Sequence, residues 1–184
     1  MKTYIGDIWE LVEEGFHLVI PVNIGWTHKG ANVMGRGLAK QAVDVYGHGV
    51  AEWLGKTQRE VYEVFKESGN DPNDPETIAL FLFSHEKHPL IFFPTKPLNT
   101  DAPNLSWQDD ADIDIIRGGL AKFSHFLSEM GINKAAVPLL GAGNGGLDPG
   151  MIKELIEEVL GGDHRVAVVL PETFGNGKEN GWQT

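Results

Sequence analysis

Short apolar runs alternate with amphipathic stretches along the whole chain. Residues 2–5 and 17–22 read as strands, the second nearly continuous in apolar residues, as in a strand buried on both faces. Between them, residues 7–12 read as a short helix with Asp7 as its N-cap. Residues 35–46 and 49–67 have helical spacing, the latter through Trp53, Leu54, Val61, Val64 and Phe65, before a polar Pro/Asn/Asp segment, 69–76. Residues 78–83 and 90–93 are expected to be strands joined tightly around His85 and His88. Residues 96–110 read as a loop, and 112–130 as the clearest helix, with Ile115, Ile116, Leu120, Phe123 and Leu127 on one side. Strand 135–140, loop 141–147, helix 149–160 and strand 165–170 follow. The alternation predicts an α/β sandwich around a mostly parallel, buried sheet: one domain over 1–175, then a polar tail, 176–184, expected to fray.

Composition narrows the functional classes. The 184 residues suit one domain that buries roughly 70% of its unfolded surface. No apolar run approaches the ~20 residues of a membrane span. Residues 1–7 lack the pattern of a signal peptide, and zero cysteines exclude disulfides and thiolate metal sites, so a cytoplasmic protein is the simplest reading. A net charge of −11 disfavours general affinity for nucleic acid. An anionic ligand would then be held by backbone N–H groups, helix termini and a few placed cations. His85 and His88 lack an acidic third ligand, so no metal is expected. Asp109, Asp110, Asp112 and Asp114 read as acids favouring a helix start. Neither a cofactor nor a second copy of the chain is called for.

The strongest chemical signal is Gly141-Ala142-Gly143-Asn144-Gly145-Gly146, between a predicted strand and a helix opened by Asp148 as N-cap and Pro149 at its first position. Such a turn can aim several N–H groups at a diphosphate, because glycine admits positive φ and close approach of the ligand. A flexible connection is the plainer explanation. The loop also matches G-x-G-x-x-G, with Glu172 as a candidate ribose-binding acid, which keeps an NAD-dependent oxidoreductase of dinucleotide-fold type as an alternative. Against it, the helix starts late and only one strand follows. A second glycine-containing loop, 23–37, leaves the second strand, where ligands bind in α/β sheets. Two such loops could clamp one ligand, and Asn23 and Asn32 carry amides suited to ribose hydroxyls or to turn-making.

These residues bring a resemblance into view. Gly6-Asp7-Ile8, Pro21-Val22-Asn23, Val33-Met34-Gly35-Arg36-Gly37-Leu38-Ala39, Phe93-Pro94-Thr95-Lys96 and the stretch 138–148 together resemble a macrodomain. More narrowly, the chain is similar to the branch containing antitoxin macrodomains that remove ADP-ribose from DNA and the related enzymes that remove it from protein glutamates. The resemblance implies a three-layer α/β/α sandwich with a mixed sheet and an ADP-ribose cleft above the strand ends. It implies that Asp7 takes the adenine amino group with help from the Ile8 backbone, and that Asn23 or Asn32 reaches the distal ribose. Met34, Gly35 and Gly37 would border the first loop, and Gly141, Ala142, Gly143, Asn144 and Gly145 would hold the diphosphate and distal ribose. Phe174, just past the last strand, is a positional candidate for stacking on adenine. Lys96 matches the lysine of the F-P-T-K motif, implying hydrolysis at the anomeric carbon of the distal ribose, with a module that only binds ADP-ribose derivatives as the alternative. A desolvated lysine can serve as nucleophile or proton-transfer group. Two departures stand out. Extra residues lie between Asn23 and Met34, where Trp26 or His28 could add contacts, and the last loop lacks the aspartate of the glutamate-specific relatives, implying a lysine-only mechanism.

Overall fold

The computed structural model describes residues 1–85, 89–175 and 181–183. Among these residues, seven strands form one sheet: β1 (Lys2–Ile5), β2 (His17–Asn23), β3 (Phe81–Phe83), β4 (Leu90–Lys96), β5 (Ala135–Pro138), β6 (Val166–Leu170) and β7 (Gly181–Gln183). Their order is β3-β4-β2-β5-β6-β1-β7. The five inner strands run parallel, while β3 and β7 close the edges antiparallel. Four α-helices among the described residues cover the sheet: α1 (Gly37–Tyr46), α2 (Gly49–Glu67), α3 (Ile113–Glu129) and α4 (Pro149–Leu160).

Strand periodicity sorts the core into two layers. In β2, Leu18, Ile20 and Val22 pack with α1, α2 and the 3-10 helix Ile8–Val12, while Val19 points into the opposite layer. There Ile91 and Phe93 of β4 and Val137 of β5 meet Ile116, Leu120 and Phe123 of α3 and Ile152 and Ile156 of α4. This is the three-layer α/β/α arrangement with a mixed sheet. It excludes the dinucleotide-fold alternative, whose parallel sheet runs in a different strand order.

Several expected boundaries move. The strand foreseen over 78–83 is confined to Phe81–Phe83, because Ile78 turns away into a separate cluster with Ile24, Leu98 and Ile115. Conversely, β4 continues through Pro94 to Lys96. Its partner β3 ends at the Phe81–Phe92 pair, so Pro94 lies beyond that ladder, where its missing N–H breaks no β3 bond. The 35–46 helix starts at Gly37, and the strand foreseen to Leu140 ends at Pro138. Gly181–Gln183, placed by the sequence in a fraying tail, pairs with β1. His88 lies outside the described residues; His85 is exposed, with its ring edge-on to Tyr46 at 5.1 Å.

Candidate functional site

The carboxyl ends of β2, β4 and β5 open into a cleft of about 610 Å³. Its wall is formed by Asn23 from β2, Thr95 and Lys96 from β4, Gly35, Arg36 and Gly37 at the start of α1, and Gly141, Gly143, Asn144 and Gly145 after β5. A register shift between Val22 and Asn23 pairs Asn23 with Lys96, where regular pairing would have set it against Thr95. A groove of about 700 Å³ also runs along Lys2, Thr3, Glu14, Phe16 and Lys134, and it holds none of the expected site residues.

Both glycine loops present unpaired donors. The N-cap of α1 is Arg36, whose side chain makes no cap hydrogen bond, so the first N–H groups of this ten-residue helix and its positive dipole end face the cleft uncapped. Across from it, the N–H groups of Gly143, Asn144 and Gly145 make no hydrogen bond among the described residues. The loops approach closely. A Cβ on Gly37, which has φ +58°, would lie 3.2 Å from Asn144 Nδ2. Gly145 is packed more tightly still: a Cβ there would sit 2.5 Å from the Gly141 carbonyl and 2.6 Å from Ala111 Cβ.

Lys96 lies between these loops. Its Nζ donates to the Trp107 carbonyl at 3.0 Å and to the Asn144 carbonyl at 3.1 Å. Desolvation pushes its pKa below the ordinary lysine value and Arg36 adds to that, while Asp110 and Asp109 oppose it. The charges of those two aspartates therefore act on the cleft lysine. The helix start belongs instead to Asp112, whose Oδ1 accepts from the N–H groups of Asp114 at 2.8 Å and Ile115 at 3.2 Å.

The expected site residues fall into three groups. Lys96, Asn23, Gly35, Gly37, Gly141, Gly143, Asn144 and Gly145 line the cleft. Asp7, Ile8 and Phe174 do not, but they follow the carboxyl ends of β1 and β6 on the same edge of the sheet, three and two strands along from β2 respectively. Asp7 caps the 3-10 helix by accepting from the Trp9 N–H at 3.0 Å; Ile8 is buried, and half-buried Phe174 packs against the α3–α4 layer. Ala142 sits in the last loop without lining the cleft, and Met34 is buried in the α1–α2 layer. Asn32 lies behind the wall, 3% exposed, with its Nδ2 turned to Asn23, Gly25 and Gln58. Trp26 packs on Tyr62 at 5.5 Å, and neither it nor His28 lines the cleft.

Sequence reasoning missed Trp107, Gln108 and the role of Arg36. Trp107 lies in a short 3-10 helix, Pro103–Gln108, within what reads as loop, and it lines the cleft while 37% exposed. The Arg36 guanidinium lies 5.9 Å from its ring centroid. An aromatic on a loop beyond a strand's carboxyl end was the signal available for it.

No protein-family model and no curated protein matches the sequence. Among solved structures, the chain is similar to Thermosipho africanus DarTG in complex with ADP-ribose, at 23% identity over 84% of this chain, with a TM-score of 0.58. It spans only 38% of the Thermosipho chain. The macrodomain of Mycobacterium tuberculosis DarG is 25% identical over 84% of this chain and 87% of its own, with a TM-score of 0.56. The macrodomain of Thermus aquaticus DarG is 25% identical over 85% and 88%, with a TM-score of 0.54.

Proposed function

This chain has the macrodomain fold, and on that premise we propose that it binds ADP-ribose in the cleft and hydrolyses an ADP-ribosyl conjugate at the anomeric carbon of the distal ribose. The diphosphate would lie between the uncapped start of α1 and the N–H groups of residues 143–145. Adenine would extend over β6 and β1 towards Asp7, Ile8 and Phe174, and the distal ribose over β2 and β4 towards Asn23 and Lys96. Thermosipho DarTG, solved with ADP-ribose, supports this assignment of the ligand.

One observation carries the catalytic reading: a partly desolvated lysine amine stands at the end of the cleft where the distal ribose would lie, on a carbonyl of the loop that would hold the diphosphate. In the net reaction the bond from the anomeric carbon to the attached group breaks, water supplies the new hydroxyl, and the leaving group gains the proton. Lys96 serves as nucleophile or proton-transfer group. The binding-module reading is favoured by a different detail, since both Lys96 hydrogen bonds end on backbone carbonyls, an arrangement that suits a fixed ammonium. With a net charge of −11, no general affinity for unmodified DNA or RNA is expected in either case.

Turnover and affinity of Lys96→Ala separate the two. Hydrolysis predicts that release of ADP-ribose from DNA, glutamyl or phosphate conjugates falls by roughly 10²–10⁴-fold while ADP-ribose affinity stays within a few-fold. A wild-type protein that binds ADP-ribose but releases none from these conjugates establishes the binder. An unchanged rate in the variant removes Lys96 from the chemistry.

A further inference from the structure

Behind the first glycine loop three amides are buried together. Asn23 is 6% exposed, Asn32 3% and Gln58 2%. Gln58 lies on the face of α2 that otherwise buries Val50, Ala51 and Leu54, where an apolar residue would be the simpler choice. Its Nε2 donates to the Asn23 carbonyl at 2.9 Å, and its Oε1 accepts from the Gly25 N–H at 3.1 Å and from Asn32 Nδ2 at 2.9 Å. Asn32 Nδ2 also lies 3.1 Å from the Asn23 carbonyl, 3.3 Å from Asn23 Oδ1 and 2.8 Å from the Gly25 carbonyl.

The arrangement is not one that stability alone would select. Among the described residues, Asn32 Oδ1 is buried without a hydrogen-bond partner, a standing cost that an apolar side chain would avoid. What the amides do share is Asn23. Gln58 Nε2 and Asn32 Nδ2 both reach its carbonyl, and the same Asn32 Nδ2 lies near its Oδ1, while Asn23 Nδ2 donates to the Val33 carbonyl at 2.9 Å. The Val33 and Asn32 contacts select one side-chain orientation, the Gln58 bond fixes the backbone carbonyl beneath it, and a second N–H on Nδ2 is left for a ligand in the cleft that Asn23 lines. The backing is rigid, because α2 approaches the loop through Gly55, where a Cβ would lie 2.1 Å from the Gly30 carbonyl oxygen.

We infer that Gln58, with Asn32, is a positioning residue that holds the Asn23 amide for the distal ribose. The additional residues 24–31 form an arch that carries Asn32 into place, instead of contacting the ligand. This rests on the proposed reading of the cleft as an ADP-ribose site. It deepens that reading by assigning a role to a helix that lines no part of the cleft.

A double-mutant cycle tests it. Gln58→Met keeps the length of the side chain and removes the amide; Asn23→Ala removes the group being positioned. Titration of wild type, both single variants and the double with ADP-ribose, and of wild type and Gln58→Met with ADP, which lacks the distal ribose, gives the readout. Each single change should weaken ADP-ribose binding about tenfold, the double should match Asn23→Ala within about twofold, and ADP affinity should stay within about twofold of wild type. Losses that multiply in the double, equal losses for both ligands, or no loss in Gln58→Met would each overturn the positioning role. Should Gln58→Met fail to fold, Asn32→Ala passes through the same cycle with the same expectations. Absence of ADP-ribose binding in the wild type overturns the cleft assignment itself, which the wild-type titration reads independently of any variant.

Discussion

The two loops that face each other across the cleft reach similar positions by opposite means. The first, between β2 and α1, is long and held from behind by side chains: Asn32 and Gln58 knit it to α2. The second, between β5 and α4, is short and held by backbone hydrogen bonds. Gly146 N–H bonds the Gly143 carbonyl, Leu147 N–H bonds the Gly141 carbonyl, and Ala111 N–H bonds the Gly145 carbonyl. Side-chain scaffolding can be loosened one bond at a time, whereas a turn built from glycines tolerates almost nothing at its packed positions and almost anything at its open ones.

That difference can be broken most severely in the second loop. Gly145→Val places carbon against the Gly141 backbone and Ala111, so it should destabilise the fold by about 3 kcal/mol and abolish ADP-ribose binding, read by urea unfolding and calorimetry. The corresponding break in the first loop is Gly55→Ala. Alanine favours a helix, but the new Cβ meets the Gly30 carbonyl oxygen and the Asn32 nitrogen at 2.1 and 2.4 Å. A net loss of about 1–2 kcal/mol is expected in the same unfolding experiment.

A pH profile sharpens the comparison at the residue that touches the second loop. If Lys96 acts as the free amine, hydrolysis should rise with pH and level off below the ordinary lysine range, because burial favours the neutral form. Asp110 opposes that shift, so Asp110→Asn should move the rise to lower pH. A profile that stays put in this variant would place the titration elsewhere. The smallest effect belongs to Gly143→Ala. Nothing lies within 4 Å of a Cβ there and its φ is not in the left-handed region, so stability should change by less than about 0.5 kcal/mol. Any large loss of ADP-ribose affinity in that variant would then report contact with the ligand rather than damage to the turn.

Legibility in the sequence followed the same division. The second loop announced itself locally. Asp148 and Pro149 mark the start of α4, Asp148 accepts from the Met151 N–H at 2.8 Å, and the helix spans the expected residues. The first loop did not, because what distinguishes Asn23 from Asn32 is Gln58, 26 residues beyond Asn32 on a helix whose spacing gives no hint that one polar residue faces inward. The extent of β4 was hidden for a related reason. Proline normally ends a strand, and only the short reach of β3 makes Pro94 harmless in place. Lys96 was found through a resemblance, since nothing in its immediate neighbours separates it from a solvated cation.

The two outermost strands have a consequence for the molecule in company. An open β-edge is a template on which another chain can add itself, and long flat edges invite polymerisation. Here the parallel core is bounded on one side by Phe81–Phe83 and on the other by Gly181–Gln183, each three residues long and each running against its neighbour. A stranger docking at either margin finds a ladder only a few rungs deep, and neither three-residue strand itself carries a charge, so this architecture resists edge-to-edge growth through brevity.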